Sequence, residues 1–134
     1  MFFTVIDTES LIDPRIINSF KPFKVEIEYE PNSQANKYHH VFFLGLDEEN
    51  LEKQIELFSQ QMKDGWYAFF WNQEIFYIVF NKQRFLVKLP DPEKDENYIK
   101  AQNYGKSVEI QENFLNFKEY WERYNRIALE NYKH

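Results

Sequence analysis

Between Gly65 and Leu89 the chain reads GWYAFFWNQEIFYIVFNKQRFLVKL, three aromatic and β-branched runs separated by two short polar interruptions. Runs of this length and composition are strands rather than helices, so residues 66–71, 74–80 and 84–89 are expected to form an antiparallel meander. Asn72-Gln73 and Asn81-Lys82 are the expected turns, because Asn tolerates the positive φ that two-residue hairpin loops demand. That choice fixes a register in which Trp71 faces Glu74, Phe69 faces Phe76, Ile78 faces Phe85 and Phe76 faces Val87.

Strand side chains alternate, so the register sorts the meander into two faces. The first carries Tyr67, Phe69, Trp71, Phe76, Ile78, Phe80, Phe85, Val87 and Leu89 and must be core. The second carries Trp66, Ala68, Phe70, Ile75, Tyr77, Val79 and Leu86, with Arg84 and Lys88 on the outer strand. An antiparallel sheet open to water on one side is normally polar there, and this one is not. Something is expected to cover it. The run Ile75–Phe80 would template aggregation at an edge, so it belongs in the sheet interior.

The C-terminal helix is the expected cover, since its own aromatic stripe needs a partner. Otherwise the second face is a homo-oligomer interface or a surface for a protein or ligand, with Trp66, Phe70, Ile75, Tyr77, Arg84, Leu86 and Lys88 as the candidate interaction residues.

The remaining segments extend the same pattern. Thr4 to Ile6 starts a strand, and Asp13-Pro14 opens a short helix through Ile16, Ile17 and Phe20. Lys24–Glu30 alternates, with Val25, Ile27 and Tyr29 on a face expected to be buried and Lys24, Glu26, Glu28 and Glu30 on the other. A polar loop at residues 31–36, with a mobile tip, leads to a strand at Tyr38–Leu46. A helix at residues 47–63 follows, capped by Asp47 and ended near Gly65, with Leu51, Ile55, Phe58 and Met62 as its apolar stripe. Asp95 caps a helix at residues 95–104 ended by Gly105, and Asn116 with Glu119 opens a helix at residues 116–132 striped by Phe117, Tyr120, Trp121, Tyr124, Ile127 and Ala128. The fold class is therefore α+β, an antiparallel sheet of about five to six strands packed by three helices.

The 134 residues suit one domain, and 43% hydrophobic with 19% aromatic content suffices for a core. Cysteine is absent, which removes disulfides and thiolate metal sites. The N-terminal MFFTVID lacks the basic start of a signal peptide, and no apolar run reaches the roughly 18 residues a membrane span needs, so a cytoplasmic setting is expected. A net charge of −6 weighs against nucleic acid, since phosphate binding needs clustered Lys and Arg.

No sequence motif calls for a cofactor, a metal or a catalytic role: there is no Gly-rich phosphate loop, nucleophile elbow or zinc signature. His39 and His40 point to opposite faces of a strand and cannot jointly chelate, although one could pair with a carboxylate. Asp91, Glu93, Asp95 and Glu96 lack calcium-loop spacing and read as a capping acidic loop.

The segment Gly65–Trp71 with Ile75–Phe80 and Phe85 resembles a group of small bacterial proteins that pair a GWYxxFW strand and an IVVFxxxxF hairpin with later YGxSxGI and LDF segments. Here those read Tyr104–Ile110, with Glu109 where the group has Gly, and Leu115-Asn116-Phe117. The resemblance spans roughly residues 50–117 and implies a bacterial source and one domain at 1–134. Its core would be residues 38–117, with 1–37 and the helix at 116–132 as additions. It carries no activity.

The reading that follows is a protein-binding or regulatory module that uses an aromatic sheet face or an oligomer interface. A second is a ligand-binding protein or enzyme with a pocket between sheet and helices, where Tyr38, His40, Tyr67 and Glu74 would be the polar groups. A third is an acidic antagonist presenting Glu26, Glu28 and Glu30 to a basic partner.

Overall fold

The structure, a computed structural model, describes residues 1–32 and 37–133. Its strands are β1 (Phe2–Asp7), β2 (Lys24–Tyr29), β3 (Tyr38–Leu46), β4 (Tyr67–Trp71), β5 (Ile75–Phe80) and β6 (Gln83–Lys88). Its α-helices are α1 (Leu51–Gln61), α2 (Glu96–Ser107) and α3 (Phe117–Asn131). The strands form one sheet in the order β2-β3-β1-β4-β5-β6, and every neighbouring pair is antiparallel. The fold is α+β. β1 lies between β3 and β4 and joins the β2–β3 hairpin to the meander, whose central strand β5 is away from both edges. The tip of the β2–β3 loop, expected to be mobile, lies outside the described residues.

The meander pairs one step differently from expectation. Trp71 faces Phe76 and Phe69 faces Ile78, so the first turn is centred on Gln73-Glu74. Asn72 acts through its side chain: Oδ1 accepts from the Glu74 N–H at 2.8 Å and the Ile75 N–H at 2.9 Å. Such an Asx turn needs no positive φ. Moving the turn by one residue shifts the pairing by two, which leaves every side chain on its expected face. The second turn is Asn81-Lys82 as expected, but Lys82 takes the positive φ of 59° while Asn81 Nδ2 donates to the Met62 carbonyl at 2.7 Å.

Each sheet face carries its own core. Beneath α2 and α3 on the first face lie Val5, Phe43, Phe69, Trp71, Phe76 and Ile78 with Phe117 and Ala128. Trp71 Nε1 also donates to Asn125 Oδ1 of α3 at 2.9 Å. On the second face Phe2, Ile6, Leu44, Phe70 and Val79 pack with Leu51, Ile55, Phe58 and Met62. The cover of the second face is thus α1, and the expectation that the C-terminal helix lies there is corrected. α3 carries a large aromatic stripe, and the first face offers the larger aromatic surface to receive it.

Four helix ends also depart from expectation. α1 stops at Gln61 because Met62 turns extended and bridges to Leu11; Gly65, with φ +82°, instead sits in a turn closed by Trp66 N–H to the Lys63 carbonyl at 3.2 Å. Gly105 does not end α2. It is buried inside the helix, where an added Cβ would come 2.5 Å from Leu115 Cδ2. The end is a Schellman motif three residues on: Ile110 N–H bonds the Gly105 carbonyl at 3.0 Å, Glu109 N–H bonds the Lys106 carbonyl at 3.1 Å, and Glu109 holds φ 67°. Neither Asp47 nor Asn116 makes the side-chain cap expected of it.

Candidate functional site

The seven residues of the expected interaction face sit partly under α1. Phe70 is fully buried, and Trp66, Ile75 and Tyr77 are half-buried against the α1 core. Leu86 is half-buried, while Arg84 and Lys88 are exposed on the edge strand β6. Arg84 lies 5.8 Å over the Tyr77 ring and donates to Glu52 of α1 at 2.8 Å, a solvent-exposed contact between helix and sheet edge.

The polar groups of the pocket reading do not converge. Tyr38 and His40 lie on β3 at the far end of the second face; Tyr67 is half-buried on the first, donating to the Phe114 carbonyl; Glu74 is exposed in the β4–β5 turn. Two grooves, of about 570 and 550 Å³, open to solvent along α3 and between α2 and α3. They are lined by residues such as Trp121 and Leu129, or Tyr98 and Ile99, and neither touches those four residues. The acidic loop is a capping device. Asp95 accepts from the Asn97 and Lys88 N–H groups, each at 2.9 Å, and these bonds hold its carboxyl below the usual range.

Sequence reasoning missed a buried polar cluster on the first face. His39, 5% exposed, faces Asp7 with Nδ1 2.7 Å from Oδ2. Beside it in register stands Glu28, 17% exposed at its side chain, with Oε1 3.5 Å from Arg123 of α3 and no hydrogen-bond donor on that buried oxygen. Burial pushes both the Asp7 and Glu28 carboxyls up; Arg123 partly opposes this for Glu28, as the Glu9 N–H and His39 do for Asp7. Burial also raises the Tyr124 hydroxyl. The cluster ties β2 and β3 to α3 through the Glu28–Arg123 contact. Among the described residues no group of His, Cys, Asp and Glu could hold a metal ion.

That inward turn of the glutamates exposes the other side of β2. Val25 is 47%, Ile27 65% and Tyr29 55% exposed, which reverses the expected burial of this strand. The reason is the reach of the covering elements: α1 covers the second face over β1, β4 and β5 and stops short of β2, while α3 reaches Glu28 on the first face. Tyr38, 57% exposed, stacks on Tyr29 at 5.2 Å between ring centroids and 22° between planes. The result is an apolar strip of Val25, Ile27, Tyr29 and Tyr38 on an edge strand.

The backbone of the same strand is open. Glu30 N–H bonds the Lys37 carbonyl at 2.6 Å, and in this register Glu28, Glu26 and Lys24 share its parity and pair inward with β3. The N–H and C=O groups of Val25, Ile27 and Tyr29 therefore point outward, where no strand lies among the described residues. No family model, curated protein or solved structure matches this chain. Among the described residues no helix is long and apolar enough to cross a membrane.

Proposed function

We propose that this chain is a protein-binding module and that the β2 edge, with its apolar strip, is the surface it presents. One observation carries the reading: on β2 the apolar side chains face water while the glutamates turn inward. Natural sheets blunt an exposed edge with charge, Pro or a bulge; on β2 the charges turn inward, and Val25, Ile27 and Tyr29, whose backbone groups face outward, leave an apolar strip on the open face. The sheet surface that binds is then the β2–β3 end of the second face, beyond the reach of α1, rather than the meander itself. A binding role also accounts for grooves that are open and gather no catalytic set.

Selection of a phage-displayed random peptide library against the immobilised chain tests this. The counter-target is the Ile27→Lys/Tyr29→Lys variant, whose changes fall on exposed side chains and introduce the charge that natural edges use as a block. Circular dichroism verifies that the variant is folded. Enriched peptides that bind the native chain and not the variant are expected. Peptides that bind both equally, or a library that yields no enrichment, would overturn the reading.

A further inference from the structure

We infer that the occupant of the β2 edge is an extended segment in which apolar and basic residues alternate, added to the sheet as a new antiparallel neighbour of β2. This rests on the reading of β2 as the docking edge and goes on to name the chemistry of what docks.

The backbone sets the conformation of the partner. The outward groups are those of Val25, Ile27 and Tyr29, spaced two residues apart, and only an extended chain meets such a row with its own N–H and C=O groups. Residues of the added strand opposite these three project onto the second face. There they meet Val25, Ile27 and the stacked Tyr29–Tyr38 pair, so they are apolar or aromatic.

The intervening residues of the added strand project onto the first face, beside Glu26, Glu28 and Glu30. Two cations stand against these carboxylates: Lys24 lies 3.7 Å from Glu26, and Arg123 lies 3.5 Å from Glu28. Glu30 has neither. Basic side chains on the incoming strand complement this row, and acidic ones repel it.

The same row argues against a second copy as occupant. In an antiparallel pair of two β2 strands, registers with substantial overlap set Glu26 against Glu26 or Glu28 of the copy, or Glu28 against itself. Directly opposed like charges destabilise a strand pair. The register that avoids them is centred on Val25 and sets Tyr29 beyond the copy's strand, against Lys21 instead of an apolar side chain.

Titration calorimetry with short synthetic peptides decides the matter. The probes are a peptide alternating Lys and Val, one alternating Glu and Val, and the Lys/Val peptide N-methylated at its Val residues, whose amides would face β2. The expected result is that the Lys/Val peptide binds, that the Glu/Val peptide is weaker by about tenfold or more, and that Val N-methylation abolishes binding. Equal affinity for the Lys/Val and Glu/Val peptides, with loss on N-methylation, would overturn the basic partner and leave the docking edge standing. Binding that survives N-methylation, or that the Ile27→Lys variant retains, would overturn strand addition altogether. Sedimentation equilibrium is run alongside. A dimer abolished by Ile27→Lys would mean that a second copy occupies the edge, and would overturn the peptide.

Discussion

Ile27 and Glu28 are consecutive on β2, yet Ile27 faces water and Glu28 is tucked against Arg123 at 3.5 Å. An edge strand ordinarily arranges the two the other way, because burying a carboxylate costs more than exposing a methyl-rich side chain. The arrangement persists because the Asp7–His39 pair and Arg123 provide a polar environment on one face, while α1 leaves the other uncovered. What stabilises the fold and what is free to bind are thereby separated along one short strand.

That separation makes Ile27 and Ile78 respond differently to truncation. Ile78 is fully enclosed in the first-face core, so Ile78→Ala should cost about 2–5 kcal/mol in urea unfolding. Ile27→Thr, at an exposed position with β propensity kept, should change stability by no more than about 0.5 kcal/mol. Similar losses at both sites would mean that Ile27 is buried in solution.

Gly105 and Leu115 form a coupled pair. Gly105→Ala gains helix propensity, but its Cβ would meet buried Leu115 at 2.5 Å, and the net effect should be a loss of about 1–3 kcal/mol. In a Leu115→Ala background the obstruction is gone, and the same substitution should be neutral or stabilising. A double-mutant cycle by urea denaturation reads the coupling; additivity would show that the two side chains do not compete for the space.

Glu109 holds the left-handed position that closes α2. Glu109→Gly relieves the steric penalty of a side chain at positive φ and should stabilise the protein by about 1 kcal/mol, seen as a higher urea midpoint. Destabilisation would indicate that α2 ends differently.

The pH dependence of Glu28 follows from the sign of its shift. Burial raises its folded carboxyl above the unfolded value, so the folded state binds the proton more tightly and the charged form costs stability. That cost is absent below the unfolded carboxylate range and grows as pH rises through the raised folded value. Glu28→Gln removes it, so the stability of the variant relative to the native chain should increase between pH 4 and pH 7 in paired urea titrations. The opposite trend would mean that Arg123 attracts Glu28 more strongly than burial penalises it.

Much of this was legible in the sequence. The β3 bounds, the α1 stripe at Leu51, Ile55, Phe58 and Met62, and the two meander faces all follow from local periodicity. The faces survived a wrong first turn because a two-residue slip preserves side-chain parity. What the sequence could not show was which helix covers which face. α1 and α3 are both amphipathic, and the choice between them depends on tertiary packing. The same ignorance inverted β2: alternation reveals two faces, but only the reach of α1 and α3 decides which is wet. The Asp7–His39–Glu28 cluster joins three strands distant in sequence, and the sole hint was a histidine that could pair with a carboxylate.

Amide hydrogen exchange along β2, read residue by residue by NMR with and without the Lys/Val peptide, tests the docking edge most directly. In the free protein Glu26 and Glu28 should be protected by β3, while Val25, Ile27 and Tyr29 exchange rapidly. Adding the peptide should slow those three and leave Glu26 and Glu28 unchanged. Uniform protection along β2 in the free monomer, or no change at Val25, Ile27 and Tyr29 when the peptide is added, would contradict it.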